Sequence, residues 1–244
     1  PKNFLKNYPY DIGSNKCRDE KLAPFPRTEH SIKVNLSEYY AIISFMDAQI
    51  GRILDALEKS GKADNTYIIF TADHGLAVGQ HGLVGKQNMY EHSVRAPWII
   101  AGPGVPKGKT INTPIYIQDA MAICLDLAKA EMKGVAFESV MPLLKTEKAQ
   151  ERDMYSSYID FQRTVISGKY KLIVYPHLKV DLLFDLAGDP LEIKNLAKNP
   201  EYADILQKLK VKLDEQMVKM NDPLDLENPQ EFYQTTGLKQ KFHH

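Results

Sequence analysis

A short apolar run that leads into charged residues and glycines constrains this chain more than any other stretch. The run is Tyr67-Ile-Ile-Phe-Thr-Ala, and Asp73-His74-Gly75 follows it directly. Short runs rich in β-branched and aromatic residues, bounded by turn residues, are typical of buried strands. Ligands of open α/β sheets bind just beyond the carboxyl ends of such strands. The sequence therefore predicts that Asp73 and His74 lie at the edge of a pocket.

The segment after this strand combines glycines with residues that bind metals or anions. Gly79, Gly82 and Gly85 alternate with His81 and Lys86. Glycines let a backbone turn tightly and approach a ligand closely. The lysine ammonium could hold an anionic oxygen, and the histidine could donate a proton near neutral pH. The alternative is an ordinary polar loop in which both side chains serve only local packing.

The composition of the chain excludes several classes of partner. The 244 residues are 43% hydrophobic and carry a formal net charge of zero, which does not favour a nucleic-acid or anionic-membrane surface. No apolar run approaches the roughly 18 residues of a membrane span. The cysteines, Cys17 and Cys124, have no metal-binding spacing, so the redox compartment stays open. We expect a globular protein that binds no nucleic acid and has no transmembrane segment.

The first part of the chain alternates helical and strand patterns. Apolar residues recur at helical spacing from about Ser37 to Lys59, with Asn35 or Ser37 as the cap. A second buried strand is predicted at 96–101 and an amphipathic helix at Ile115–Ala130. Helix, short turn and buried strand form an αβ unit, so we expect an α/β fold with a mostly parallel sheet flanked by helices.

The last hundred residues change character. Short apolar runs separated by turns predict an antiparallel four-stranded sheet, and Pro200–Lys219 predicts a helix after it. The charged segment Lys145–Arg152 marks the boundary. We predict two domains, the α/β core at 1–148 and a small α+β subdomain at 149–244. The predicted strands are Met154–Ile159, Arg163–Ser167, Tyr170–Tyr175 and Leu182–Leu186.

The metal that would suit Asp73 and His74 cannot be chosen from these two residues. A carboxylate suits calcium or magnesium, whereas an imidazole favours zinc and other transition metals. Two ligands are also too few, because calcium takes about six to eight oxygens and zinc three or four protein groups. The residue pattern alone leaves the metal open.

Taken together, these segments resemble the C-terminal portion of the type I sulfatases, which depend on formylglycine and share the alkaline-phosphatase-like fold. The likeness extends almost from end to end and is greatest to bacterial sulfatases that act on sulfated glycans. The segments that carry it are Asn65 through Lys86, Glu38 through Leu57, Tyr90 through Ile100, Gly102-Pro-Gly, Gly168 through Ile173, Leu183 through Pro190, and Asn195-Leu-Ala.

The resemblance implies a role for several residues. Asp73 would be a ligand of calcium, rather than of magnesium or zinc, with His74 beside it on the metal or the sulfate. Lys86 matches the lysine that holds a sulfate oxygen, so we assign it a catalytic and substrate-binding role. His81 is a second candidate for both roles. Three further residues, chosen from charge and position, would line the sugar subsites: Arg27, His92 and Arg95.

The chain departs from the family at the nucleophile. Type I sulfatases carry a Cys-x-Pro/Ala-x-Arg motif whose cysteine becomes formylglycine. Cys17 lies in Cys-Arg-Asp-Glu-Lys and Cys124 in a predicted helix, so neither fits. The N-terminal pair of aspartates that completes the metal site is also absent. We therefore expect an inactive C-terminal portion of a longer sulfatase, whose missing N-terminal part would be its partner and would carry the formylglycine.

The expected substrate is a sulfated carbohydrate, and the resemblance implies a periplasmic or secreted parent protein. Two other functions remain open. One is a phosphodiesterase or phosphonate hydrolase of the same superfamily, whose members also place Asp-His-Gly at a metal. The other is a non-catalytic glycan-binding module, which the missing nucleophile would allow.

Overall fold

The computed structural model describes residues 1–10, 17–145 and 149–232. Its chain divides into two compact units. The sheet unit comprises Pro1–Thr28, His74–Arg95 and the chain from Glu151 onward, and the helix unit comprises Glu29–Asp73 and Ala96–Gln150. The domain boundary between residues 148 and 149 stays a prediction. The predicted linker around it includes residues 146–148, which lie outside the described ranges.

Helices and strands alternate in the first half of the chain, and the strands are consecutive in the second half. None of the helices in the described ranges combines the length and apolar character that crossing a bilayer requires. In chain order the elements are α1 (Glu29–Lys59), β1 (Ile68–Thr71), α2 (Glu91–Val94), β2 (Trp98–Ala101), α3 (Asp119–Leu127), β3 (Met154–Tyr158), β4 (Gln162–Ser167), β5 (Tyr170–Tyr175), β6 (Val180–Asp185) and α4 (Ala203–Lys219).

Helix α1 begins well before its predicted start at Ser37. The predicted cap, Asn35, lies inside the helix, and its Nδ2 donates a hydrogen bond of 2.8 Å to the carbonyl oxygen of Ser31. An asparagine inside a helix can bond the carbonyl four residues earlier instead of capping an amide. No proline or glycine follows Pro26 before this point, so nothing local stops the helix from starting at Glu29.

The two strands of the helix unit pair antiparallel, with Ile68 opposite Ala101 and Thr71 opposite Trp98. The sequence predicted a mostly parallel arrangement for this region. A parallel pair needs a crossover connection, usually a helix packed on the same sheet. Here residues 74–95, which connect the two strands, belong to the sheet unit and supply no such helix. The α/β character of the region is confirmed, but this strand pair is not parallel.

The sheet unit contains the predicted four-stranded sheet in the order β3-β4-β5-β6, with every neighbouring pair antiparallel. Strand β5 has the predicted bounds, and the other three differ from prediction by one or two residues at an end. The meander forms because each strand is short and is followed by a turn that returns the chain beside it. Helix α4 follows the sheet, as predicted, after a single 3-10 turn at Pro200–Tyr202.

Both faces of this sheet are covered. Alternate side chains of β5 point to opposite faces, so Leu172 packs towards α4 and Ile173 packs towards the glycine-rich segment. Leu209 and Leu213 of α4 complete the core on the first face. The second core contains side chains from the N-terminal residues, the glycine-rich segment and strands β5 and β6: Tyr8, Ala77, Leu83, Met89, Tyr90, Ile173, Tyr175, Leu182 and Phe184. The sheet therefore supports the segment that carries the candidate site residues.

Candidate functional site

Residues 75–88, which we call the glycine loop, fold back on themselves. The amide of Ala77 donates to the carbonyl of Gly85 at 3.0 Å, and the amide of Gly79 donates to the carbonyl of Leu83 at 2.7 Å. The turn requires a left-handed backbone at Gly82, where φ is 77°. A Cβ at Gly82 would lie 2.7 Å from the backbone carbon of Asn7, so only glycine fits there. The loop is thus shaped by its own hydrogen bonds and by close backbone packing.

A buried ion pair holds the C-terminal arm of this loop. The carboxylate of Glu20 accepts hydrogen bonds from the amides of Val84, at 3.0 Å, and Gly85, at 2.8 Å. The same carboxylate pairs with the Arg27 guanidinium. Burial raises the pKa of Glu20, and the two amides and Arg27 oppose that rise. Among the described residues, this is the charged group that fixes the backbone just before Lys86.

Arg27 was predicted to line a sugar subsite, but its side chain is fully buried. Its Nη1 donates to the carbonyl of Glu20 at 2.9 Å, and its Nε donates to the carbonyl of Gly82 at 3.1 Å. The guanidinium also lies over the Phe25 ring, 3.8 Å from its centroid. These contacts make Arg27 a support beneath the glycine loop. Its guanidinium does not face solvent, so the predicted contact with a sugar has no exposed donor.

Lys86 lies at the end of the loop with its side chain 34% exposed. Its Nζ is 3.9 Å from Oδ2 of Asp19, a carboxylate that also accepts a hydrogen bond of 3.1 Å from Nε2 of Gln87. The Gln87 side-chain oxygen in turn accepts from the Lys86 amide at 3.2 Å. The backbone of Lys86 is therefore fixed while its ammonium remains accessible to an anionic group.

His81 is buried within the loop. Its ring stacks on Tyr90 with 3.9 Å between centroids, and its Nε2 lies 3.1 Å from Nδ2 of Asn3. Burial lowers the pKa of His81 to about 4, and the nearby Lys171 charge adds to that effect. The ring is therefore neutral at physiological pH. These surroundings are those of a packed imidazole, and its catalytic and substrate-binding roles stay predictions.

The depressed pKa of His81 predicts a loss of stability in mild acid. The unfolded chain, with an ordinary histidine pKa of 6.5, binds a proton more readily than the folded chain does between pH 6.5 and about 4. The contribution of His81 is therefore complete above pH 6.5 and is lost as the pH falls. We expect the free energy of unfolding to drop by about 2 kcal/mol from this group between pH 7 and pH 5.

Urea denaturation across this pH range, repeated with His81→Gln, measures that contribution. The variant has no imidazole to protonate, so its stability should fall less steeply with acid than that of the wild type. Equal slopes for the two proteins would contradict the prediction.

The other two predicted subsite residues, His92 and Arg95, have opposite environments. Both ring nitrogens of His92 are buried without a hydrogen-bond partner among the described residues, and burial lowers its pKa well below the usual value. The Arg95 side chain is 77% exposed, with its Nη1 4.0 Å from Oε2 of Glu91. Of this pair, only Arg95 presents its polar group to solvent.

Asp73 and His74 lie where the sequence predicted, directly after β1. The division between the two compact units falls between them. His74 Nδ1 is 2.9 Å from the carbonyl oxygen of Gly75. Within the described ranges, no group of three or more His, Cys, Asp or Glu side chains could hold a metal ion. Because calcium takes six to eight oxygens, the part of the chain that the structure describes does not by itself complete a calcium site.

A second buried charge cluster lies beside the loop, and it was not predicted from the sequence. Lys171 on β5 is fully buried, and its Nζ is 2.9 Å from Glu91 Oε1 and 2.8 Å from Glu192 Oε1. Glu192 also accepts a hydrogen bond of 2.7 Å from the Glu91 amide. A lysine in a predicted strand is normally expected to face solvent. Lys171 can be buried only because distant parts of the chain supply two carboxylates that pair with it.

The α/β architecture, the four-stranded C-terminal sheet and the strand leading into Asp-His-Gly agree with the alkaline-phosphatase-like fold that the sequence resemblance implied. The family model described as Sulfatase matches residues 3–130, and the model described as N-sulphoglucosamine sulphohydrolase, C-terminal, matches residues 79–219. The chain therefore belongs to the sulfatase family, as the sequence resemblance predicted.

Relatives in the family are named for their sulfated substrates. A choline-sulfatase of Rhizobium meliloti (strain 1021) is 35% identical over 189 residues, which are 72% of this chain and 36% of that protein. An N-acetylglucosamine-6-O-sulfatase of Bacteroides thetaiotaomicron is 31% identical over 205 residues, with 77% and 37% covered. The chain thus spans little more than a third of the length of these relatives.

Solved structures agree on the fold. A structure in complex with its substrate D-glucosamine-2-N,6-O-disulfate matches with a TM-score of 0.73 and 26% identity, over 84% of this chain and 45% of that chain. A phosphonate monoester hydrolase of Agrobacterium radiobacter matches with a TM-score of 0.67 and 24% identity, over 77% and 42%. The second match concerns the fold alone, which sulfatases therefore share with a hydrolase named for a phosphorus ester.

Proposed function

We propose that this chain is the C-terminal portion of a sulfatase that hydrolyses sulfate esters on a sugar or glycan. Membership of the sulfatase family supports the reaction. The sugar is supported by the relative named N-acetylglucosamine-6-O-sulfatase and by the structural neighbour solved with a disulfated glucosamine. The family resemblance implies a periplasmic or secreted parent protein, and we place it there.

The observation that carries the proposal is the presentation of Lys86. Its ammonium is partly exposed at the end of a loop whose backbone is fixed on both sides. A positive charge held in place can stabilise the negative charge that grows on the sulfuryl oxygens in the transition state. Lys86 would bind one of these oxygens and orient the ester for attack.

The nucleophile would come from another part of the longer protein. Neither Cys17 nor Cys124 lies in a Cys-x-Pro/Ala-x-Arg motif. The hydrated formylglycine expected from the resemblance would therefore be supplied by residues outside this chain. Asp73 and His74 would contribute two donors to a calcium ion whose remaining ligands also lie outside the chain.

The exposed apolar surface of α1 supports a longer parent protein. Ile32 is the residue of α1 that is buried in the described structure. Large side chains of the same helix remain in water, and a surface of this kind is normally covered by another part of the protein. We propose that the rest of the sulfatase packs on it. The exposed residues are Val34, Tyr40, Ile42, Ile43, Phe45, Met46, Ile53 and Leu54.

A direct test compares the longer protein with residues 1–244 alone on matched esters. We expect the longer protein to hydrolyse a 6-O-sulfated glucosamine and residues 1–244 to show no turnover, because the nucleophile is absent. The assay is repeated with a phosphate diester and a phosphonate monoester of similar leaving group.

Faster turnover of a phosphorus ester than of the sulfate ester would replace the proposal with a phosphodiesterase or phosphonate hydrolase. Binding of the sulfated sugar by the longer protein without any hydrolysis would replace it with a glycan-binding module.

A further inference from the structure

Two adjacent carboxylates near the N-terminus contact the glycine loop at the point where it delivers Lys86. Asp19 and Glu20 belong to the 3-10 helix Arg18–Leu22, more than sixty positions before Lys86. Of these two carboxylates, Glu20 bonds the loop backbone and Asp19 lies beside the Lys86 side chain. Neither belongs to the site residues assigned so far, although both act on the residue that carries the proposed chemistry.

Glu20 is built to hold backbone amides. Its Oε2 accepts from Val84 and its Oε1 from Gly85, so one carboxylate spans two consecutive amides immediately before Lys86. The side chain is buried, and such charge-assisted bonds are shorter and stronger than neutral ones. A buried carboxylate is stable there because Arg27 pairs with it from the other side.

The packing around Gly85 leaves this contact little freedom. A Cβ at Gly85 would lie 2.9 Å from Glu20 Oε1 and 3.0 Å from Asp19 Cβ. It would also lie 2.8 Å from Oε1 of Gln87. The backbone of the loop therefore packs directly against the two acidic side chains. A shift of either side chain would move the backbone of Lys86.

Asp19 acts on the other end of Lys86. Its Oδ2 is 3.9 Å from the Lys86 ammonium and accepts a hydrogen bond from Gln87. Its Oδ1 accepts from the exposed guanidinium of Arg18 at 2.9 Å. A carboxylate anchored by two neighbours can hold a flexible lysine side chain in one direction without burying it.

We propose that Glu20 is a positioning residue for Lys86, acting through the amides of Val84 and Gly85, with Asp19 orienting the ammonium. This inference rests on the proposed function of Lys86. A catalytic cation must be held within a fraction of an ångström of its productive place, and a displacement of about 1 Å can lower a rate by roughly 100-fold. Glu20 supplies that restraint without touching the substrate.

The test uses Glu20→Gln in the longer protein. The amide keeps the size of the side chain, but it places an NH₂ group against a backbone N–H and loses the charge that pairs with Arg27. We expect kcat for the sulfate ester to fall roughly 10- to 100-fold, with KM changed much less. Lys86 acts most strongly on charge that develops in the transition state, so its displacement lowers kcat first.

The matched control is Asp222→Asn. Asp222 is also a carboxylate paired with an arginine, with Nε of Arg163 2.6 Å from its Oδ2 and its own side chain 7% exposed, but it lies on the α4 side of the sheet unit. The same carboxylate-to-amide change there should destabilise the protein and leave kcat within about twofold of the wild type, since it acts at a site with no contact to the loop. An equal loss of kcat in both variants would overturn the proposal, because general destabilisation would then explain it.

A double-mutant cycle separates positioning from independent effects. If Glu20 acts through Lys86, Glu20→Gln should change the residual rate of a Lys86→Ala protein by less than about twofold. The same fold loss in both backgrounds would overturn the proposal.

Hydrogen exchange tests the role of Glu20 independently of the proposed sulfatase function. After correction for the change in global stability of each variant, exchange of the Val84 and Gly85 amides should accelerate at least tenfold in Glu20→Gln and remain unchanged in Asp222→Asn. If exchange is faster in Glu20→Gln but the longer protein hydrolyses no sulfate ester, the proposed sulfatase function is wrong, while the role of Glu20 in restraining the loop is supported. Unchanged exchange in Glu20→Gln would overturn the positioning role whatever the activity.

Discussion

Replacing Lys86 with alanine should lower sulfate-ester hydrolysis by the longer protein by about 10²- to 10³-fold. The ammonium is partly exposed at the end of a fixed loop, so its removal deletes a positive charge from the site without opening a buried cavity. The loss should appear mainly in kcat, because the charge on the sulfuryl oxygens grows towards the transition state. The fold should be retained, with a thermal midpoint within a few degrees of the wild type.

A second exposed lysine in the sheet unit provides the matched control. Lys169 lies in the turn between β4 and β5 and pairs with Asp185 at 2.6 Å. Lys169→Ala removes the same charge and should leave the rate unchanged within about twofold, since an exposed ion pair contributes little. Steady-state kinetics of the two variants decide the matter. A Lys86→Ala protein with the wild-type rate would remove Lys86 from the site.

Replacing Lys171 with methionine should destabilise the sheet unit by about 3–5 kcal/mol. The lysine is fully buried between Glu91 and Glu192, each less than 3 Å from its ammonium. Methionine keeps much of the volume but leaves two carboxylates close together without a counter-ion. Breaking one partner of a buried ion pair costs this much because the remaining charges have lost both their water and their partner.

The control for this variant is Lys212→Met on α4. That lysine pairs with Asp153 at 2.6 Å, but its side chain is 40% exposed. Its loss should cost less than about 1 kcal/mol, because water screens the pair. Urea denaturation measures the free energy of unfolding of both variants. If the two substitutions cost the same, burial of the Lys171 cluster does not govern its contribution to stability.

The elements of the sheet unit could be predicted closely because their signals are local. Strand β5 is a short, largely apolar run at Tyr170–Tyr175 that follows the turn at Gly168, and its bounds agree with prediction. The start of α1 could not be predicted as well. Asn35 is a good cap residue by type, but the segment before it is also compatible with a helix, and the structure extends the helix through it.

The roles of the charged residues depended on distant contacts. The sequence assigned Arg27 to a sugar subsite on charge and position alone, whereas the structure pairs it with Glu20 and buries both. Glu20 and Lys171 were not singled out at all. Glu20 is buried with Arg27, seven positions away, and with two amides of the glycine loop more than sixty positions away. Lys171 is buried because Glu91 and Glu192, both distant in the sequence, supply the opposite charge, and no pattern within a few residues indicates such partners.

What the sequence by itself determined is the order of helices and strands, the strand that leads into Asp73 and His74, and membership of the sulfatase family. Those features follow from residue types and spacings that act over a few positions. Only the tertiary structure decided which of the basic side chains are exposed enough to bind an anionic group. Lys86 keeps a partly exposed ammonium, while His81 is buried within the glycine loop and Arg27 is buried beneath it. The physical reason is that burial depends on which remote segments fold together, and in this chain the N-terminal residues and the C-terminal sheet enclose the glycine loop.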